Sequence, residues 1–224
     1  MGLSAIDRTE IVQIIKILRK ATRKMVDPAV TQIVTEFGQD PFLILISCLL
    51  SLRTKDTISL PISRNLFAIA RTPQALIKIP ISKLEKILYS IGFYRKKARL
   101  LHNVSKDLIK RFDGRVPNTK AELVSIEGIG PKTANLVLAE GFGIPAICVD
   151  THVHRIANRL GLVKTKTPDQ TEKALARIVP KRYWIELNPL LVIWGQNICQ
   201  PVLPRCSICP LKSLCPRVGV RKSR

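Results

Sequence analysis

Apolar residues recur at helical spacing along nearly the whole chain, and this constrains the fold more than any other feature. "TEIVQIIKILRKATRKMV", "PAVTQIVTEF", "SKLEKILYSI", "RKKARLLHNVSKDLIKRF", "THVHRIANRLGLV" and "QTEKALARIV" each show apolar residues at helical spacing, as Ile11, Ile14, Ile15 and Leu18 do at i, i+3, i+4 and i+7. Asp, Thr, Asn or Ser stands before such segments and Gly or Pro after them, the usual start and stop signals of helices. No stretch alternates apolar and polar residues beside a hairpin turn. The spacing predicts an all-α chain of roughly ten short helices. With 224 residues, 46% of them hydrophobic, the chain can bury a core as one domain or as two small lobes.

The charge is strongly one-sided: 37 Lys and Arg against 16 Asp and Glu give a formal +21. Self-repulsion of that size opposes compaction unless a polyanion is the partner. The basic residues are dispersed (Arg19, Lys20, Arg23 and Lys24; Arg95, Lys96, Lys97 and Arg99; Lys181 and Arg182; Arg217, Arg221, Lys222 and Arg224). A dispersed excess suits a whole surface facing nucleic acid, where phosphate neutralisation releases counterions. The bland alternative is a solvated basic surface with no such partner.

The N-terminal "MGLSAIDRTEIVQIIKILRK" is amphipathic and carries Asp7 and Glu10, unlike a signal or transit peptide. "PFLILISCLLSL" is too short to span a bilayer and reads as a buried helix. The expectation is a soluble cytoplasmic protein, nucleoid-associated in a prokaryote, with no membrane partner. Six cysteines in that setting point to metal or packing rather than to disulfides. Cys48 and Cys148 fall on apolar stretches and read as core. Cys199, Cys206, Cys209 and Cys215 form a C-x6-C-x2-C-x5-C run, and four thiolates in so short a segment can close around one metal centre. Zinc satisfies that set as well as an iron–sulfur cluster does.

"AELVSIEGIGPKTANLVLAE" reads as helix, Gly-x-Gly turn, helix. Gly128 and Gly130 can both take positive φ and admit a close ligand. The unpaired N–H groups at the following helix start attract an anion such as a DNA phosphate, although an ordinary helix-to-helix turn fits equally well. Pro131 suits the first helical position. Lys132 then falls in the first turn, a poor place for a cation. Asp150, before "THVHRIANRL", is a natural N-cap.

Taken together, "IEGIGPKTANLVLAEGFGIPAICVDTHVHRIANRLGL" resembles the helix-hairpin-helix, Gly/Pro-rich loop and aspartate of the endonuclease III family of bifunctional DNA glycosylases, and the likeness runs from about Val30 through Cys215. The resemblance implies two helical lobes with a DNA-binding groove between them, residues 33–144 forming the central lobe and residues 1–32 with 145–224 forming the other. It implies a base-excision-repair N-glycosylase and abasic-site lyase, acting as a monomer on double-stranded DNA with a damaged base of the thymine glycol type. Lys132 is then the nucleophile and Asp150 its essential carboxylate. The carboxylate would offset the positive charge that grows on the sugar as the base leaves. The amine would form an imine that permits β-elimination. An ordinary lysine is protonated at neutral pH, so partial burial is expected at Lys132. His152 is expected to be structural or to lie near DNA rather than to act as a general base, and neither it nor His154 has a zinc-like partner spacing.

The cysteine spacing resembles the family's iron–sulfur loop, which implies a 4Fe–4S cluster folding a segment that presents Arg205 and Lys212 to phosphates. Two loops resemble those that fill the gap left by an extruded nucleotide. One places Arg53 where relatives often have glutamine; the other places Phe93 where they often have leucine. Arg95, Lys96 and Lys97 read as phosphate contacts or a solvated helix face. Glu127, in place of a frequent proline, and Pro131, with no N–H to give, both depart from the family's hairpin. The competing functions are a mismatch or adenine glycosylase, and a DNA-binding module without catalysis.

Overall fold

The structure is a computed structural model that describes residues 8–224. The first seven residues, with Asp7, lie outside the described residues. Twelve α-helices occur among the described residues, with no strand. In chain order they are α1 (Arg8–Thr22), α2 (Ala29–Phe37), α3 (Pro41–Ser51), α4 (Asp56–Phe67), α5 (Pro73–Ile77), α6 (Ile81–Ile87) and α7 (Tyr94–Phe112). Then follow α8 (Lys120–Val124), α9 (Pro131–Leu136), a π-helical turn (Val137–Gly141), α10 (Thr151–Arg159), α11 (Pro168–Ile178), a 3-10 turn (Lys181–Tyr183) and α12 (Trp184–Asn197). None is long and apolar enough to cross a membrane.

The chain forms two compact units. Pro28–Ile144 is one; the chain up to Asp27 and Pro145–Arg224 together make the other. The first boundary falls before α2 rather than at residue 33, because α2 packs against α3 and α4.

Within Pro28–Ile144, α3 is the central helix. Phe42 through Leu50 are buried without a break, so no face of it meets water. Asp40 starts it, its Oδ1 accepting from the amides of Phe42 (2.9 Å) and Leu43 (3.1 Å). The other helices surround it with apolar stripes; along α7 the stripe is Ala98, Leu101, Val104 and Leu108. The sequence spacing predicts one continuous helix over "PKTANLVLAEGF", but the structure breaks it at Leu136 into the π turn. The extra residue in that turn buries Leu138, Ala139 and Glu140 consecutively, and a Cβ on Gly141 would stand 3.0 Å from Cα of Pro41.

In the second unit, Ile11, Ile14, Ile15 and Leu18 of α1 pack with Val153, Ile156 and Ala157 of α10 and with Leu187, Leu191 and Trp194 of α12. The cysteine-bearing segment after α12 leans on this core through Leu211 and the partly buried Cys199, Cys209 and Cys215.

Candidate active site

The Pro28–Ile144 unit carries the hairpin. α8 ends at Val124, and Gly128 takes φ +88°, the left-handed region where a side chain is strained. A Cβ there would also overlap Cδ1 of Leu100 on α7, so glycine is required twice over. Gly130 differs from the expectation. Its backbone is extended at φ −87°, and a Cβ on it would meet nothing within 4 Å. Its value is the open approach it leaves to the start of α9. Pro131 takes the first helical position, as its missing N–H allows.

Lys132 is the second residue of α9 and is exposed, not partly buried as expected. The first turn of α9 lies at the surface: Gly130, Pro131 and Lys132 are all exposed, and burial begins at Thr133. Glu127 is exposed as well, and lines a surface hollow with Lys96 and Arg99 of α7.

The two gap-filling candidates lie in the same unit. Arg53, in the turn after α3, is exposed at φ +54°; Phe93, immediately before α7, is 61% exposed at φ +60°. That exposure removes core packing as an account of Phe93. Both non-glycine residues occupy left-handed backbone, which costs about 1–3 kcal/mol and persists only where the surroundings enforce it. A Cβ on Gly92 would lie 3.8 Å from the carbonyl oxygen of Arg53, so the two turns adjoin.

Two groups escaped the sequence reading. Lys97, grouped with Arg95 and Lys96 as a phosphate contact or solvated residue, is 6% exposed. Its Nζ donates to the carbonyls of Leu50 and Leu52, each at 2.6 Å, and to Thr54 Oγ1 at 2.9 Å. The helical register gives the reason, since 97, 101, 104 and 108 share the apolar stripe of α7. Glu140, in the π turn, is buried, and that burial pushes its carboxyl up to about 7. Cys48 is core, as expected, its thiol pushed up to about 12 chiefly by burial.

The other unit carries Asp150 and the cysteine run. Asp150 is the N-cap of α10: its Oδ1 accepts from the amides of His152 (2.9 Å) and Val153 (2.8 Å). Both bonds converge on one oxygen, so the cap fixes the carboxylate without engaging Oδ2. His152 Nδ1 stands 3.0 Å from Nη2 of Arg155, and that guanidinium also donates to the carbonyls of Cys199 and Gly195. His154 bonds Thr171 Oγ1 at 2.7 Å. Both histidines are tied into α10 and its neighbours, and Cys148 is core.

Cys199, Cys206, Cys209 and Cys215 all line one pocket, together with Arg159, Arg205, Lys212 and Arg217. Arg159 donates to Cys199 Sγ at 3.4 Å. Burial first, and then the neighbouring cysteines, push the thiols of Cys209 and Cys215 up. Among the described residues no group of three or more His, Cys, Asp or Glu side chains is gathered to hold a single metal ion. Four thiols around a pocket rimmed by cations suit an anionic cluster of several metal atoms, which holds its ligands farther apart than one ion does. Arg205 and Lys212 are exposed beside it.

A family model described as the HhH-GPD superfamily of base excision DNA repair proteins matches residues 46–181. Endonuclease III of Thermotoga maritima is 43% identical over 196 residues, covering 85% of this chain and 92% of that protein. Endonuclease III of Bacillus subtilis is 38% identical, covering 83% and 84% respectively. The solved structure of a trapped endonuclease III–DNA covalent intermediate superposes with a TM-score of 0.83 at 33% identity, over 95% of this chain and 97% of that one.

Proposed function

The chain belongs to the HhH-GPD superfamily of base excision DNA repair proteins and is a DNA glycosylase; from that premise we propose that it excises oxidised pyrimidines of the thymine glycol type and then cuts the strand as an abasic-site lyase. The observation that carries this reading is the placement of Lys132. It is exposed at the start of α9, directly behind the turn that exposes Gly128 and Gly130, a helix start of the kind that suits a phosphate.

Lys132 and Asp150 are assigned to one reaction. The amine attacks C1′ of an extruded deoxyribose as the C1′–base bond breaks; the electrons of that bond leave with the base, which takes up a proton from solvent. Asp150 opposes the positive charge on the sugar in that transition state. The nitrogen passes a proton to the ring oxygen as the bond from C1′ to that oxygen breaks, which opens the ring and gives the protonated imine. Removal of a proton from C2′ then expels the 3′ phosphate by cleavage of the C3′–oxygen bond. Arg53 and Phe93 occupy the space vacated by the extruded nucleotide, and Gly128, Gly130, Arg205 and Lys212 belong to the phosphate-binding surface. Cys199, Cys206, Cys209 and Cys215 hold a 4Fe–4S cluster whose binding orders their loop. The protein works as a monomer in the cytoplasm.

Borohydride reduction during turnover tests the chemistry. Parent protein is expected to become covalently joined to lesion-bearing duplex, and Lys132→Gln to give no adduct; equal trapping by Lys132→Gln overturns the assignment. A panel of duplexes, each with one defined lesion, fixes the substrate, and excision of mismatched or alkylated bases alone rejects the oxidised-pyrimidine reading. Yellow-brown protein with stoichiometric iron supports the cluster, whereas colourless protein containing zinc excludes it.

A further inference from the structure

Helix α3 ends at Ser51, and its last carbonyls have no partner within the helix. The ammonium of Lys97 meets that end. Its three donors find three acceptors, the carbonyls of Leu50 and Leu52 and the hydroxyl of Thr54, all between 2.6 and 2.9 Å. A cation is well placed at a helix C-terminus, and bonds to the charged form work against the cost of burial. Leu52 and Thr54 are the residues on either side of Arg53, so the ammonium holds both neighbours of a residue in left-handed backbone. The same residue reaches the second turn through its main chain, its amide donating to the carbonyl of Phe93 at 3.0 Å.

We infer that Lys97 is a positioning residue for nucleotide extrusion, fixing the Arg53 turn against the Phe93 turn so that both enter the duplex together. This rests on the reading that Arg53 and Phe93 fill the gap left by the extruded nucleotide. The choice of residue supports it. Among the described residues no carboxylate bonds the buried ammonium, and desolvation pushes it down to about 8, so an apolar side chain would fill this place at less cost if packing were its whole purpose. A methionine would keep the volume but leave the α3 carbonyls unmet and Arg53 free to relax to ordinary backbone.

The test uses the full chain as purified, with the excised lesion placed either in a paired duplex or in a single-nucleotide bulge, where no partner base must be displaced. Excision is followed under single-turnover conditions, with 2-aminopurine beside the lesion reporting unstacking. Lys97→Met is expected to slow unstacking and excision in the paired duplex by about 10-fold or more, as a small misplacement of a positioned group does. On the bulge it should stay close to parent. Thr54→Val, which removes one acceptor, should show the same split at smaller size and keeps the test open if Lys97→Met does not fold. Equal loss on both substrates, or no loss on either, overturns the proposal. Arg53→Ala is run alongside. If it spares the paired duplex, the gap-filling reading itself fails; if it shows the split and the Lys97 and Thr54 variants do not, only the positioning role fails.

Discussion

The starts of α7 and α9 are built from the same parts and do opposite things with them. Each follows a turn containing a left-handed residue, and each has a lysine within its first four positions. At α9 the left-handed residue is Gly128, and Lys132 is exposed. At α7 the left-handed residue is Phe93, an exposed aromatic, while Lys97 is buried under the end of α3. The difference teaches that a lysine near a helix start is read by what meets its Nζ. At the surface, as at Lys132, it is reachable by a substrate; under three acceptors, as at Lys97, it is an internal strut.

The largest test of this contrast is Lys132→Gln. It is expected to abolish borohydride trapping and strand cutting, while thermal stability changes by no more than about 0.5 kcal/mol, as for other surface substitutions. A large loss of stability would show that Lys132 is a strut too. Asp150→Asn comes next. Asparagine caps a helix as well as aspartate does, so the fold and DNA affinity should hold while excision falls by about 10²–10³-fold. Equal losses of affinity and excision would reduce Asp150 to its cap.

How far the sequence carried each region follows from the kind of signal. The all-α architecture, Pro131 at the first turn of α9 and the Asp150 cap were legible, because helical spacing and capping are local rules that neighbouring residues state directly. Lys97 was half legible. Its charge and its neighbours Arg95 and Lys96 suggested a wet face, yet its register with Leu101, Val104 and Leu108 placed it on the apolar stripe. What could not be read was the set of acceptors brought by α3, since a tertiary contact leaves no mark in the local pattern. The π turn after α9 was illegible for the same reason: Gly141 fits against Pro41, far away in sequence.

That π turn supplies the next test, because α7 runs unbroken whereas α9 ends by burying an acid. The carboxyl of Glu140 is raised from 4.5 to about 7, so the folded protein binds more protons than the unfolded chain between those values. The associated stability is complete below pH 4.5 and is lost as pH rises through 7. Glu140→Gln should flatten that slope in denaturant titrations and raise stability at pH 8 by about 3 kcal/mol. An unchanged slope would mean that the acid is already ionised in the fold.

The smallest expected effects sharpen the comparison most, because they exchange the parts. Gly128→Ala forces a side chain into left-handed backbone and into Leu100, and should destabilise by about 1–3 kcal/mol. Phe93→Gly runs the other way: glycine relieves the strain but loosens the unfolded chain, so stability should move by less than about 1 kcal/mol. Its activity should nevertheless fall on paired lesions and hold on bulged ones if, as proposed, the ring enters the duplex. If Phe93→Gly costs as much stability as Gly128→Ala, then the ring is bearing structural load, and the contrast between a turn that must be glycine and a turn that tolerates strain for its side chain is wrong.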